Sequence, residues 1–188
     1  MGRWEPNSRG RLEQAALELY TQRGFDQTTV AQIAQRAGLT ERTFFRHFAD
    51  KREVLFWGES ALHELLVGRV AGAPDGEAPF ESVRAAVEGI NPIFDGRRDQ
   101  AQRRQAVIAA NAALQERELI KLASLSAGLA DALRSRRVRE PAASLTAEAG
   151  VAAFKVAFER WIDASNNRSL KDLIRESFDE LQKVTVGE

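Results

Sequence analysis

Apolar residues along this chain recur at intervals of three and four and almost never alternate singly with polar ones. That period belongs to helices rather than strands. Leu12, Ala15, Ala16, Leu19 and Tyr20 form the first stripe, which ends near Gly24. Thr29, with Gln32 three residues on, has the spacing of a capping box. It opens a short helix that Gly38 stops. Thr40 opens a third helix through Phe48, and Asp50 with Glu53 repeats the capping-box spacing ahead of a long fourth helix towards Val70.

The segment 71–79 reads as a linker, with two Gly, two Pro, an Asp and a Glu. Phe80, Val83, Val87, Ile90 and Phe94 make the next stripe, in which Pro92 marks a kink or an end. A turn at Asp95-Gly96 and a basic stretch follow. A long helix over 114–139 then carries Leu119, Leu122, Leu125, Leu129 and Leu133, and Glu140-Pro141 breaks it. Residues 144–165 are apolar on nearly every side, which predicts burial on more than one face. After a turn at Asn166-Asn167, Ser169 with Asp172 caps a last helix striped by Leu170, Leu173, Ile174, Phe178, Leu181 and Val184. The prediction is an all-α chain of about nine helices without internal repeats.

Composition narrows the chemistry. The 188 residues are 44% hydrophobic and 29% charged, the balance of a globular protein. No cysteine is present, which excludes disulfides, thiolate metal sites and cysteine nucleophiles. Two histidines, His47 and His63, exclude a histidine-rich metal site, and no catalytic triad or phosphate loop is recognisable. The acidic pair Asp179-Glu180 is expected on an exposed helix face. The start, Met1 to Pro6, lacks the apolar region of a secretory signal, and no apolar run reaches the ~20 residues of a membrane span. The expectation is a cytoplasmic protein with neither cofactor nor metal. Twenty-seven basic residues balance twenty-seven acidic ones, which on average argues against nucleic acid. Locally the picture changes, because the charge is concentrated.

The informative stretch is residues 28–48. Two short helices meet at Ala37-Gly38-Leu39, where glycine suits the positive φ that ends the first. Val30, Ile33, Ala34, Leu39, Phe44 and Phe48 can share one small core. This is the pattern of a helix-turn-helix, whose second helix enters the DNA major groove. Glu41, Arg42, Thr43 and Arg46 lie at the start and outer face of that helix and are the candidate base readers. Arg42 has the fork that matches guanine O6 and N7, Thr43 suits a thymine methyl, and Glu41 suits cytosine N4. Thr29 and Thr40, at helix N-termini, suit phosphate, as do His47 and Lys51.

In combination these residues resemble the TetR family of bacterial transcriptional repressors. The shared pattern is Gly24-Phe25, Thr28-Thr29-Val30, Ile33-Ala34, Ala37 to Thr40, Thr43 to Phe48, Asp50 to Glu53 and Leu55-Phe56, within about residues 9–57. The resemblance implies an all-helical homodimer with a DNA-binding head and a variable ligand-binding body. It puts Thr29, Thr40, Phe45, His47 and Lys51 on backbone-contacting positions and Glu41, Arg42, Thr43 and Arg46 on base-facing ones. One departure matters: the family usually has tyrosine where this chain has Phe45, and phenylalanine cannot donate that bond to phosphate.

The domain reading is a helix-turn-helix DNA-binding domain over 1–50, a connecting helix over 51–70, and a ligand-binding and dimerisation domain over 71–188. The last two helices, from Ser144 to Val184, are the expected homodimer interface. Phe56, Trp57, Phe94, Asn111, Phe154, Phe158 and Trp161 are the candidates to line a ligand pocket. Asn111, within an apolar run, is either a buried amide with a partner there or a helix cap before Leu114. Residues 97–139 carry ten basic and four acidic side chains. That excess is either a solvated face or the site of an anionic effector, and its helix is similar to family bodies associated with acyl-coenzyme A. The reading is a repressor that binds a palindromic double-stranded operator and is released by a small molecule. A constitutive DNA binder and an all-helical protein-interaction module are the alternatives, and an enzyme is not expected.

Overall fold

The computed structural model describes residues 7–186, with the side chains of Trp57 and Val186 outside it. Within that span the regular elements are ten helices: α1 (Ser8–Arg23), α2 (Val30–Arg36), α3 (Glu41–His47), α4 (Glu53–Ala71), α5 (Pro79–Glu88), α6 (Asn91–Phe94), α7 (Arg98–Ala109), α8 (Ala112–Ser135), α9 (Ala142–Ile162) and α10 (Leu170–Val186). The fold is all-α, as the periodicity predicts. The single turn α6 follows from Pro92, which separates it from α5. The basic stretch after Gly96 is itself helical, as α7.

The α8 helix stops at Ser135, four residues before the expected end. Arg137 takes φ 66° there, the Val138 N–H bonds to the Leu133 carbonyl, and the Arg137 N–H bonds to Arg134. This is a Schellman stop, which usually rests on glycine. No glycine marks it in the sequence, so the pattern overran it.

The chain forms two compact units. The first takes residues up to Gly58 together with Arg103–Glu118, so it extends beyond the boundary at 50 and includes a piece of the expected body. Its core holds Leu12, Leu19, Tyr20, Ile33, Phe44, Phe48 and Phe56, joined by Val107, Ile108 and Leu114 from α7 and α8. Polar contacts fasten the same piece: Arg117 pairs with Glu53 at 2.5 Å, and Arg104 Nε donates to the Leu55 carbonyl at 2.7 Å.

The second unit contains Glu59–Gln102 and the chain from Leu119 onward. Here α9 packs against both α5 and α10, which also touch each other. Ala143, Ala147, Val151, Phe154, Ala157 and Trp161 of α9 are buried against Val83 and Val87 of α5 and Leu173, Ile174 and Phe178 of α10. The approach of α5 to α9 is close: a Cβ on Gly150 would lie 2.3 Å from Val83 Cγ1. An ion-pair rim closes over α10, with Arg84 on Asp179 (2.7 Å) and Glu88 (3.0 Å), and Arg175 on Glu88 (3.2 Å). Burial of α9 is one-sided within the chain, because Leu145 and Val156 remain 64% and 48% exposed.

Candidate nucleic-acid interface

The first unit builds its outer face from three capped helices. Leu12, Ala15, Ala16, Leu19 and Tyr20 give α1 a buried stripe. Thr29 completes the predicted capping box: its hydroxyl accepts from the Gln32 N–H (3.2 Å), while Gln32 Oε1 accepts from the Thr29 N–H (3.0 Å). The turn after α2 is a Schellman motif at Gly38, φ 65°, with the Leu39 N–H on the Ala34 carbonyl at 2.8 Å. Arg11 of α1 donates to the Ala37 carbonyl and ties that turn to α1. Glu18 of α1 holds Arg36 of α2 at 2.7 Å, and that hydrogen bond, followed by the one from Gln14, keeps the Glu18 carboxyl below its usual range.

Thr40 caps α3, accepting from the Thr43 N–H at 3.2 Å with the two hydroxyls 3.0 Å apart. Phe44 is fully buried beneath, its ring 5.4 Å from that of Phe48. With Phe44 turned inward, Glu41, Arg42, Phe45 and Arg46 share the outer face and are exposed, and Thr43 is half-buried at its edge. Phe45 is 55% exposed, an unusual setting for a phenyl ring. His47 is half-buried, and its Nε2 is covered without a hydrogen-bond partner. Burial first, then Arg46 and Arg9, hold that imidazole below its ordinary pKa.

Lys51 behaves differently from an outward cation. Its ammonium donates to the carbonyls of Phe25 (2.9 Å), Thr28 (3.0 Å) and Asp26 (3.4 Å) and lies 4.3 Å from the centre of the Phe25 ring. The Tyr20 hydroxyl donates to the Lys51 carbonyl at 2.6 Å, and burial, then Asp50, raise the phenol's pKa well above its usual value. Asp50 accepts the N–H of Arg52 and of Glu53 and so precedes α4 as expected, whereas the Glu53 carboxylate turns to Arg117 rather than back to Asp50.

The candidates for a ligand pocket do not share one unit. Phe94, Phe154, Phe158 and Trp161 come together in the second, with the Phe94 ring 5.8 Å from both Phe158 and Trp161 and 6.3 Å from Phe154. Phe56 lies in the core of the first unit, fully buried under the Arg104 guanidinium at 5.0 Å. Asn111 also belongs to the first unit and is a helix cap: its Oδ1 accepts from the N–H groups of Ala113 (3.1 Å) and Leu114 (3.3 Å), and its amide reaches Asp26 at 3.3 Å. It lines an open hollow of about 250 Å³ with Phe25, Asp26 and Val107. The Trp57 side chain lies outside the described residues.

Much of the basic excess over 97–139 is turned to the protein itself. Arg98 donates to the carbonyls of Asp163 and Asn166, Arg136 to those of Pro74 and Glu77, and Arg134 pairs with Asp131 and Glu140. Arg104 and Arg117 are held as described above. Apart from the two local pairs of Arg134, these contacts are tertiary and lie beyond the reach of a charge count. Among the described residues no helix is long and apolar enough to cross a membrane.

Two short capped helices on a third, with the second presenting a polar face, define a helix-turn-helix DNA-binding regulator. The chain belongs to the tetR family of bacterial regulatory proteins: residues 13–56 match that family, and residues 77–185, more than half the chain, match the MftR C-terminal domain. The relatives it matches are transcriptional regulators. The HTH-type transcriptional regulator TcmR of Streptomyces glaucescens is 39% identical over 83 residues, which is 44% of this chain and 37% of TcmR. The transcriptional regulator MftR of Mycobacterium tuberculosis, named for mycofactocin biosynthesis, is 27% identical over 61% of this chain and 58% of its own. In both cases the similarity spans less than two thirds of the relative. Across 93% of both chains the fold is similar to that of the TetR-family repressor FadR of Thermus thermophilus, solved with lauroyl-CoA, at a TM-score of 0.56 and 22% identity.

Proposed function

We propose that the protein is a repressor that binds a palindromic operator as a homodimer and leaves it when a small molecule occupies the body. The observation that carries this is the outer face of α3. Glu41, Arg42 and Arg46 are exposed there, and the buried Phe44 sets which face points outward. In this reading Arg42 reads guanine, Glu41, Thr43 and Arg46 contact neighbouring bases, and Thr29, Thr40, Phe45 and His47 meet the backbone. Phe45 does so through its ring against sugar, since it has no donor.

Dimerisation is assigned to α9 and α10. The exposed Leu145, Ala152 and Val156 form an apolar strip along α9 that no described residue covers. A two-fold reader needs such a self-complementary face, with its recognition helices about 34–36 Å apart. The effector is proposed to meet the aromatic group of Phe94, Phe154, Phe158 and Trp161. An acyl-coenzyme A is the class to test first, because the Thermus thermophilus relative carries lauroyl-CoA. The five arginines engaged within the protein would not serve its phosphates, so exposed Arg97, Arg137 and Arg139 remain for that role.

The test starts with an operator selected by the protein from random duplexes. Arg42→Ala should then lose about 1–3 kcal/mol at one base position and relax specificity there. Equal losses on the operator and on random DNA would refute the assignment. Sedimentation should give a dimer at micromolar concentration, and lauroyl-CoA should lower operator affinity.

A further inference from the structure

Lys51 occupies a position where an outward cation would meet phosphate, yet its ammonium points into the protein. An ammonium has three N–H donors and no acceptor. All three directions are taken, by the carbonyls of Phe25, Thr28 and Asp26 at 2.9, 3.0 and 3.4 Å. The ring of Phe25 covers the charge at 4.3 Å.

Those carbonyls belong to the turn between α1 and α2. The turn is held locally by the Gly24 N–H on Tyr20, the Thr28 N–H on Phe25 and the Thr28 hydroxyl on the Gly24 carbonyl. None of these bonds satisfies the carbonyls of Asp26 and Thr28. Partly buried acceptors that converge on one point repel each other and need a shared donor. Lys51 is that donor. Its own carbonyl is fixed in return by the Tyr20 hydroxyl at 2.6 Å, so backbone and side chain of one residue grip the end of α1 and the start of α2 together.

The grip ends one residue before Thr29, the N-cap of α2. Thr29 is one of the proposed backbone contacts, and where it stands depends on how that turn is held. We infer that Lys51 is a positioning residue: it fixes the turn between α1 and α2, and with it Thr29, from behind and does not itself contact phosphate. The inference rests on the proposed operator binding and concerns how one part of it is achieved.

The experiment compares wild type, Lys51→Met and Lys51→Gln on the selected operator over a range of salt. A phosphate contact contributes about 0.9 to the slope of log affinity against log salt. Lys51→Met should weaken operator binding about tenfold, equivalent to about 1.4 kcal/mol, with the slope unchanged. Lys51→Gln carries no charge but keeps amide donors for the carbonyls, and should recover most of the loss. Hydrogen exchange of free protein should quicken over residues 25–29 in Lys51→Met and return towards wild type in Lys51→Gln. Should the methionine variant fold poorly, the glutamine variant alone decides between the two roles. A slope reduced by about one unit in both variants, or unchanged exchange over 25–29, overturns the inference. A wild-type protein that enriches no duplex removes the DNA reading itself, and the positioning role with it.

Discussion

Replacing Gly38 by alanine tests the helix-turn-helix turn at its tightest point. Two separate penalties arise. At φ 65° the residue is in the left-handed region, which costs a residue with a Cβ roughly 1–2 kcal/mol. The new Cβ would also stand 2.7 Å from Arg11 Nη2, the atom that donates to the Ala37 carbonyl. A hydrogen bond from a charged donor contributes about 1.5–3 kcal/mol, and a flexible guanidinium can recover part of it by shifting. The sum is about 2–4 kcal/mol against the first unit. Native-state hydrogen exchange at Ile33 and Ala34, inside α2, reads this directly as a lower opening free energy. A double-mutant cycle divides the two penalties. In an Arg11→Met background the second is already absent, so Gly38→Ala should cost only about 1–2 kcal/mol. A loss below about 0.5 kcal/mol would refute the backbone argument, and equal losses in both backgrounds would refute the clash.

Arg137 ends α8 in the same motif at φ 66° with a side chain that glycine would omit, so Arg137→Gly should stabilise by a few tenths to about 1 kcal/mol in urea titration. Gly150→Ala should destabilise the second unit by about 1–3 kcal/mol, because its Cβ meets Val83 Cγ1 at 2.3 Å, and Val83→Ala should relieve much of that in the double variant. Phe45→Tyr restores a phenolic donor on the outer face of α3 and should tighten operator and random DNA alike by about 1 kcal/mol in gel-shift titrations. Burial, Arg46 and Arg9 depress the His47 pKa, so the unfolded chain binds this proton at higher pH than the folded one. First-unit stability should therefore fall as pH drops through about 6.5, the ordinary imidazole value, and His47→Phe should flatten that slope in urea titrations at stepped pH.

What could be read from the chain depended on how local the cause is. The Thr29–Gln32 box and the Ser169–Asp172 cap act between residues three apart, and both are seen where their spacing puts them. Gly38 announces its turn because glycine favours the conformation used. Arg137 adopts a similar φ without such a residue, so the end of α8 was hidden. Lys51, Arg98 and Arg136 looked like surface charges because the carbonyls they serve are 23 to 68 residues away in sequence. The stripe of Phe94, Phe154, Phe158 and Trp161 was visible and does gather in space. Of the two readings of Asn111, a buried amide or a cap before Leu114, the structure has the cap.

The share of α7 and α8 in the first unit bears on how such a regulator can be taken apart. Val107, Ile108 and Leu114 are buried in the same core as Phe44 and Phe56, although about fifty residues of chain separate Phe56 from them. A fragment cut after Gly58 would expose the apolar surface they cover and leave Glu53 without Arg117. Transplanting this reading head onto another sensor would therefore mean carrying two pieces, the leading segment and a matching insert at 103–118. For the same reason, substitutions spread through α7 and α8 become changes to the head, and a screen for altered operator binding should recover some of them far from α3.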